Sequence, residues 1–245
     1  MTLKDGERIL IRLAPDRAPV HVANIRALAH AHWWDGTSIY RVQDNYVAQW
    51  GDVTEDKPLP RPVVANPPPE YAGGAAAPAV RLSRPDPYSD WAGVSADGWP
   101  VAGNDRRSWL PHCYAMVGVA RNLAPSTGSG AELYTVIGHA PRHLDRNIAV
   151  IGRIIEGVEH LSALPRGKGD LGFYADASRR VPIARIRLAS DLPRSERPHY
   201  QYRAADNPRF RAYVHERENR QPPFFTVPAG GADICNVPLA VRKRP

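Results

Sequence analysis

The sequence predicts a mainly β protein with a long loop insert and a C-terminal appendage. Most of its apolar segments are short and are bounded by glycine, aspartate or asparagine, a pattern that is typical of strands. Only a few segments keep the spacing of an amphipathic helix. The 25 prolines among 245 residues are concentrated at 58–100 and after 190. Because proline interrupts both helices and strand ladders, this indicates irregular segments around a compact core.

The first predicted elements form one half of that core. A turn at 4–7 leads into an apolar strand at 8–13. An amphipathic helix is expected at 18–29, because a proline suits its first turn and its apolar residues fall on one face. Two strands separated by a polar break are then expected at 38–42 and 46–50.

The other half of the core is expected beyond a long insert. Residues 53–111 keep neither the period of a strand nor that of a helix, so they are expected to form an irregular loop. Order resumes with strands and one short helix. The strands are predicted at 114–119, 132–137, 148–155 and 183–188, and the helix at 157–164.

The C-terminal segment is predicted to be an appendage packed on the core. A helix is expected to run through Phe210 and Val214 to about Arg220, because Asp206-Asn207-Pro208 can cap its start and two prolines follow its end. The sequence therefore predicts a core domain at 1–192, which contains the insert at about 53–111, and an extension at 193–245.

The charge and hydropathy of the sequence indicate which partners the protein is expected to lack. The formal net charge is +7, but the arginines are dispersed and only residues 242–244 form a cluster. A nucleic-acid-binding protein more often shows a basic patch and a recognisable binding fold, so we expect no nucleic-acid partner. No run of 18 apolar residues is present, so we expect no membrane partner. The compartment stays open: cytoplasmic as written, periplasmic if an N-terminal leader has been lost.

The cysteines and histidines of the sequence do not form the pattern of a metal site. Cys113 and Cys235 match no metal-ligand spacing. They are either two unrelated thiols or, in an oxidising compartment, a disulfide that ties the C-terminal segment to the core. His139 and His143 have the spacing of a helical zinc pair, but Pro141 between them disfavours a regular helix. We expect no metal and no cofactor.

Two blocks of residues carry a family signature. The first contains, in order, Ala18-Pro19, Asn24, Leu28, Asp35-Gly36-Thr37, Tyr40-Arg41-Val42, Tyr46-Val47, Gln49 and Gly51-Asp52. The second contains Met116, Gly128-Ser129, His143-Leu144-Asp145 and the run from Val150 to Gly157. In order and spacing, the two blocks resemble the cyclophilin-type peptidyl-prolyl cis/trans isomerases. The resemblance covers about residues 7–52 and 113–190.

The resemblance implies a fold and a function. The fold is a closed eight-stranded antiparallel barrel capped by two helices, with the active site in a groove on its outer face. The function is isomerisation of Xaa-Pro bonds in proteins, which assists their folding. The expected partners are proline-containing polypeptides, and we expect the protein to act as a monomer.

The resemblance also assigns site residues by position. Arg41 corresponds to the catalytic arginine, and Gln49 to the glutamine that accompanies it. Eight residues correspond to substrate-binding positions: Tyr46, Val47, Val117, Gly118, Glu132, Tyr134, His143 and Leu144. Gly118 stands where the family has asparagine, and Glu132 where it has glutamine. Because of these departures and the insert, a non-catalytic module that binds proline-containing segments is the alternative.

The chemistry explains why an arginine is the first candidate. Rotation about a prolyl bond breaks no covalent bond and requires only that the amide resonance be weakened. A guanidinium remains charged at any physiological pH and can donate to the prolyl nitrogen as its lone pair localises. The sequence therefore predicts a catalytic Arg41 beside an apolar pocket.

Overall fold

The computed structural model describes residues 1–244, which form fifteen strands and three α-helices. The helices are α1 (Pro19–His30), α2 (Glu159–Ser162) and α3 (Pro208–Glu218). The strands are β1 (Thr2–Leu3), β2 (Leu10–Leu13), β3 (Ser38–Val42), β4 (Val47–Gly51), β5 (Gly73–Gly74), β6 (Val80–Arg81), β7 (Trp91–Val94), β8 (Pro100–Gly103), β9 (Arg107–Trp109), β10 (Met116–Val119), β11 (Leu133–Val136), β12 (Val150–Glu156), β13 (Val181–Arg185), β14 (Tyr200–Tyr202) and β15 (Val241–Lys243).

Eight strands form one antiparallel sheet in the order β1-β13-β3-β4-β11-β10-β12-β2. The sheet is curled into a half-barrel, with β1 and β2 as its outermost strands. β1 has only two residues, and an isolated bridge pairs its Thr2 with Arg8, which lies just before β2. The mainly β fold and the eight antiparallel strands are confirmed, whereas a closed barrel remains a prediction.

The chain forms two compact units. The first, here called the core unit, consists of Met1–Tyr71 and His112–Arg197 and contains the eight-stranded sheet. The second unit consists of Ala72–Pro111 and residues 198–244. The predicted insert is thus divided between the two units, and most of it lies in the same unit as the C-terminal segment.

The inner face of the eight-stranded sheet and helix α1 enclose the main hydrophobic core. Its fully buried side chains include Leu28, Trp34, Trp50 and Ile151. Helix α1 lies where it was predicted, but no side chain of its N-cap residue caps it. The carboxylate of Glu70 instead accepts hydrogen bonds from the Val20 and His21 amides of the first turn. The second predicted helix is present as the single turn α2.

The prediction of an irregular insert is wrong for residues 72–111. They form a five-stranded antiparallel sheet in the order β5-β9-β8-β7-β6. These strands have two to four residues and include glycine and proline, for example in β5 and β8. Such segments have little intrinsic strand propensity, so their conformation depends on pairing with neighbours.

The second unit also contains the helix that was predicted in the C-terminal segment. Helix α3 begins after Asn207, whose side-chain oxygen accepts a hydrogen bond from the Phe210 amide at 3.0 Å. Phe210 and Val214 are buried on one side of this helix. The predicted asparagine cap and the helix are therefore confirmed.

The structure settles the state of the two cysteines, which the sequence left open. Cys113 and Cys235 are both disulfide-bonded, so neither is a free thiol. Among residues 1–244, no helix has the length and apolar character needed to cross a membrane.

Candidate active site

Arg41 lies on the outer face of the sheet and is held by three hydrogen bonds. Its Nη1 donates to Gln49 Oε1 at 3.0 Å, across the β3–β4 ladder in which the two residues are paired. Its Nη2 donates to Gln43 Oε1 at 2.5 Å, and its Nε donates to the Leu171 carbonyl at 2.8 Å. The guanidinium is half-buried, and this burial lowers the pKa of Arg41.

An apolar surface lies beside the guanidinium, because successive side chains of β4 point to opposite faces of the sheet. On β4, Ala48 and Trp50 point into the main core, so Val47 and Gln49 point to the opposite face. Val47 packs there in a second, smaller cluster. The members of that cluster, here called the outer cluster, are Val47, Tyr134 and Val136, which are buried, and Tyr46, Ala120, Leu144 and Ile148, which are partly buried.

Aromatic rings border the guanidinium on two sides. The Arg41 Cζ lies 5.8 Å from the centroid of the Tyr46 ring and 5.5 Å from that of Phe173. The exposed ring of His143 stacks on Tyr46 at 6.1 Å. A cation over an aromatic face is favoured by the ring quadrupole, so these rings help to hold the guanidinium in place.

Tyr134 forms the buried floor of the outer cluster and is bonded to a polar network behind it. Its hydroxyl lies 2.8 Å from Nε2 of the buried His112, whose Nδ1 lies 3.0 Å from Oδ1 of Asp145. Asp145 Oδ2 accepts from Arg142 Nε at 2.6 Å. Burial raises the pKa of the Tyr134 hydroxyl, so it stays protonated. The network fixes the ring of Tyr134 from its hydroxyl end.

The ring of Tyr134 explains why residue 118 is a glycine. A Cβ at this position would lie 2.4 Å from Tyr134 Oη and 2.5 Å from its Cζ. Real Cβ atoms essentially never approach other atoms so closely. Gly118 on β10 is paired directly with Tyr134 on β11, so the glycine is what lets the tyrosine lie flat against the strand.

Glu132 lies at the other end of the site, just before β11. Its Oε1 accepts from the Asp52 amide at 2.6 Å, and its Oε2 accepts from the Tyr40 hydroxyl at 2.5 Å. Gln49 Nε2 in turn donates to the Tyr40 hydroxyl at 2.7 Å. Burial raises the pKa of Glu132 to about 7, although its hydrogen bonds act in the opposite direction.

The structure brings most of the predicted residues together. Arg41, Gln49, Tyr46 and His143 are in direct contact as described, and Val47, Tyr134 and Leu144 pack in the outer cluster. Val117 is the exception, because its side chain is fully buried in the main core. Strand alternation gives the outward position to Gly118 instead.

Sequence reasoning missed three residues that shape the site. Tyr40 bonds Gln49 and Glu132, Phe173 flanks Arg41, and His112 holds Tyr134. Tyr40 could have been noticed as the neighbour of Arg41 on β3. Phe173 and His112 had no such signal, because each reaches the site from a segment far away in sequence. Within residues 1–244, no group of three or more potential metal ligands is present.

Comparison with known proteins identifies the family. The family model described as "Cyclophilin type peptidyl-prolyl cis-trans isomerase/CLD" matches residues 1–188. The chain belongs to the cyclophilin family. As a cyclophilin-type isomerase, it catalyses the cis/trans isomerisation of peptidyl-prolyl bonds, and its substrates are proline-containing peptides.

Individual relatives agree with this family. The chain is 25% identical over 169 residues to a protein of Brucella suis named "Probable peptidyl-prolyl cis-trans isomerase", covering 68% of this chain and 70% of the relative. A Brucella abortus protein of the same name is 24% identical over the same lengths. The crystal structure of the cyclophilin AquaCyp293 from Hirschia baltica has the same fold, with a TM-score of 0.72 at 22% identity, covering 98% of this chain and 88% of that chain.

Proposed function

We propose that Arg41 is the catalytic residue of this cyclophilin and that Xaa-Pro segments bind across the outer cluster beside it. The observation that carries the proposal is the guanidinium itself, which is anchored by three hydrogen bonds at the border of an apolar surface. A guanidinium has five N–H donors. Three of those of Arg41 are engaged with residues of the described chain, so one N–H on each Nη is left for a substrate.

The reaction requires the twisted prolyl bond to be bound better than either planar form. The uncatalysed barrier is about 18–20 kcal/mol because resonance gives the C–N bond double-bond character. As the bond twists, the lone pair localises on the prolyl nitrogen, which then accepts a hydrogen bond from the Arg41 guanidinium. This donor stabilises the transition state more than the ground state, so the bond rotates faster.

The outer cluster supplies the second requirement, which is a dry place for the pyrrolidine ring. Val47 and Tyr134 would lie beneath the ring, and Tyr46 and Leu144 beside it. Exclusion of water lowers the local dielectric constant and strengthens the hydrogen bond from Arg41. His143, stacked on Tyr46, would extend the surface toward the neighbouring substrate residue.

Gln49 is assigned an orienting role. Its side-chain oxygen faces Arg41, and its amide nitrogen is bound to Tyr40, so the side chain is fixed at both ends. The guanidinium is thereby held before substrate arrives, which avoids the cost of ordering it during the reaction.

The test is the isomerisation rate of a proline peptide, measured by a protease-coupled assay. Arg41→Ala is expected to lower kcat/KM by about 100-fold, the loss typical for removal of one charged transition-state donor. Arg185→Ala is the matched control, because Arg185 is an exposed arginine on another strand of the same sheet. An Arg41→Ala rate equal to that of the control would disprove the catalytic assignment of Arg41. A non-catalytic binding module would instead require a wild-type rate no faster than the uncatalysed one.

We infer in addition that β1 and β2 close the barrel and that the protein acts as a monomer without a nucleic-acid partner. The Ile9 amide donates to the Met1 carbonyl at 2.9 Å, which supports closure of the two edges. Slow hydrogen exchange of the Ile9 amide is the expected result. All proposed site residues lie in one chain, within predicted domain 1–192, so we expect sedimentation at the mass of one chain.

Binding to nucleic acid at low salt would contradict the inference that the protein has no nucleic-acid partner.

A further inference from the structure

A continuous line of hydrogen bonds runs from Arg41 to Glu132. Arg41 Nη1 donates to Gln49 Oε1 (3.0 Å), Gln49 Nε2 donates to Tyr40 Oη (2.7 Å), and the Tyr40 hydroxyl donates to Glu132 Oε2 (2.5 Å). The Asp52 amide completes the line by donating to Glu132 Oε1 (2.6 Å). A partly buried carboxylate is therefore connected to the guanidinium through two uncharged side chains.

An irregularity in β3 makes this line possible. Successive residues of a regular strand point to opposite faces, so Tyr40 and Arg41 would not both face Gln49. The register shifts between Ile39, opposite Trp50, and Arg41, opposite Gln49, so that Tyr40 and Arg41 together oppose one residue of β4. A bulge of this kind re-aims side chains and is a common device beside active sites.

The chemistry of the groups gives the line one direction. Arg41 can only donate, so the oxygen end of the Gln49 amide must face it. The other end of that amide is a donor, so the Tyr40 oxygen must accept from it. The single proton of Tyr40 is then directed to Glu132, which must accept. When Glu132 is uncharged, it has one carbonyl oxygen for two donors, the Tyr40 hydroxyl and the Asp52 amide. The Tyr40 hydroxyl, to which Gln49 donates, is then held less firmly.

The charged groups around Glu132 influence whether its carboxyl is protonated. It faces Tyr40 on β3, and Asp52 and Glu55 in the segment after β4, both of which carry negative charge near it. Lys57 and Arg121 line the same cavity of about 250 Å³ without contacting the carboxylate by any hydrogen bond among the described residues. Burial, followed by the charge of Glu132, raises the pKa of Tyr40 well above its ordinary value, so Tyr40 stays the proton donor.

We propose that Tyr40 and Glu132 are positioning residues that fix the Gln49 amide and thereby the guanidinium of Arg41, so that isomerisation is slower when Glu132 is uncharged. This assigns to Glu132 a role different from the substrate contact that the sequence predicted. The inference rests on the proposed catalytic function of Arg41. A misplaced catalytic group costs up to about 100-fold in rate, so an effect of about tenfold on kcat is expected here.

The experiment is a pH profile of kcat and KM from pH 5 to 9, measured by NMR exchange between the cis and trans forms of a proline peptide, which needs no coupling protease. The carboxylate is charged above its pKa, so the wild-type kcat is expected to be high above about pH 7 and to fall below it. Glu132→Gln is expected to be about tenfold slower at pH 8 and to lack this fall, with KM little changed. Tyr40→Phe keeps the ring that stacks on Phe173 and is expected to give the same flat profile.

Two controls make the result specific. His143→Gln removes the exposed histidine stacked on Tyr46 and is expected to keep the wild-type fall with pH, because the line does not include it. The NMR signals of the Gln49 side-chain amide report directly on the line, because Gln49 Nε2 donates to the Tyr40 hydroxyl. Their protection from exchange with water should decrease in Tyr40→Phe even if Glu132→Gln fails to fold.

The outcomes distinguish the positioning role of Tyr40 and Glu132 from the catalytic role of Arg41. If Arg41→Ala is inactive but Glu132→Gln and Tyr40→Phe both keep the wild-type kcat and pH profile, the positioning role is wrong and the catalytic assignment stands. If Arg41→Ala keeps wild-type activity, the proposed function fails first. A fall with pH that disappears in His143→Gln and persists in Glu132→Gln would also overturn the inference.

Discussion

Replacement of Gly118 by alanine tests how tightly the floor of the outer cluster is packed. The new Cβ would lie 2.4 Å from Tyr134 Oη and 2.5 Å from Tyr134 Cζ. Tyr134 is buried and its hydroxyl lies 2.8 Å from His112 Nε2, so the ring cannot move without separating these two groups. The substitution therefore combines overpacking with a lost buried hydrogen bond.

The magnitude follows from these two contributions. Overpacking of a well-packed core costs about 1–3 kcal/mol. Leaving a buried donor or acceptor without a partner costs about 1–3 kcal/mol. We therefore expect Gly118→Ala to lower the free energy of unfolding by about 2–6 kcal/mol, measured as a lower urea midpoint at an unchanged slope. Displacement of the Tyr134 ring should also lower kcat/KM.

A double-mutant cycle with Tyr134→Ala decides whether the ring is the cause. Once the ring is removed, Gly118→Ala should cost less than about 1 kcal/mol, because residues in contact are not additive. Gly73→Ala is a matched control, since Gly73 is a strand glycine whose Cβ would meet nothing within 4 Å, and its effect should be within about 0.5 kcal/mol. Equal costs of Gly118→Ala with and without the ring would refute the reasoning.

Two further predictions concern hydrogen-bonded carboxylates, of which Glu70 is partly buried and Asp145 is buried. Glu70 accepts from the Val20 and His21 amides at 2.8 and 2.9 Å and from His21 Nδ1 at 2.6 Å, so Glu70→Gln should lower the free energy of unfolding by about 1–2 kcal/mol in urea titrations. Burial alone would raise the pKa of Asp145, but its bonds to His112 and its pairing with Arg142 outweigh burial and hold the pKa below the ordinary value. Asp145→Asn should therefore cost about 3 kcal/mol at pH 7.

The pH dependence of the second variant has a definite sign. A carboxyl whose pKa is lower in the folded protein stabilises it above the unfolded pKa of about 4, and this stabilisation is lost as the pH falls below that value. The difference in unfolding free energy between wild type and Asp145→Asn should accordingly shrink below about pH 4. The exposed Asp16 provides the control Asp16→Asn, and Glu196→Gln is the control for Glu70. A difference that stays constant down to pH 3 would contradict the assignment.

Half of the site could be predicted from the sequence because its residues are neighbours in the chain. Arg41, Tyr46, Val47 and Gln49 lie on one hairpin, so the register of β3 and β4 brings them together once both strands are recognised. The side chain of Val117 lies in the main core, which the sequence did not show, because a motif gives the order of residues but not which face of a strand each one occupies.

The rest of the site depends on contacts between distant segments. Phe173 reaches Arg41 from a loop, and His112 reaches Tyr134 from the segment before β10. The bulge that turns Tyr40 toward Gln49 has no sequence pattern of its own, because it arises from how β3 pairs with β4. The coupling of Gly118 to Tyr134 is likewise visible only when the two strands lie side by side.

The sequence by itself determined the mainly β class, helix α1 and the capped helix α3. These follow from local periodicity, turn and cap chemistry, which act over a few residues. Only the tertiary structure decided that the insert forms a sheet and that Glu132 is linked to Arg41. Strands of two to four residues and buried hydrogen bonds gain their stability from the partners they meet, and those partners are set by the packing of the whole chain.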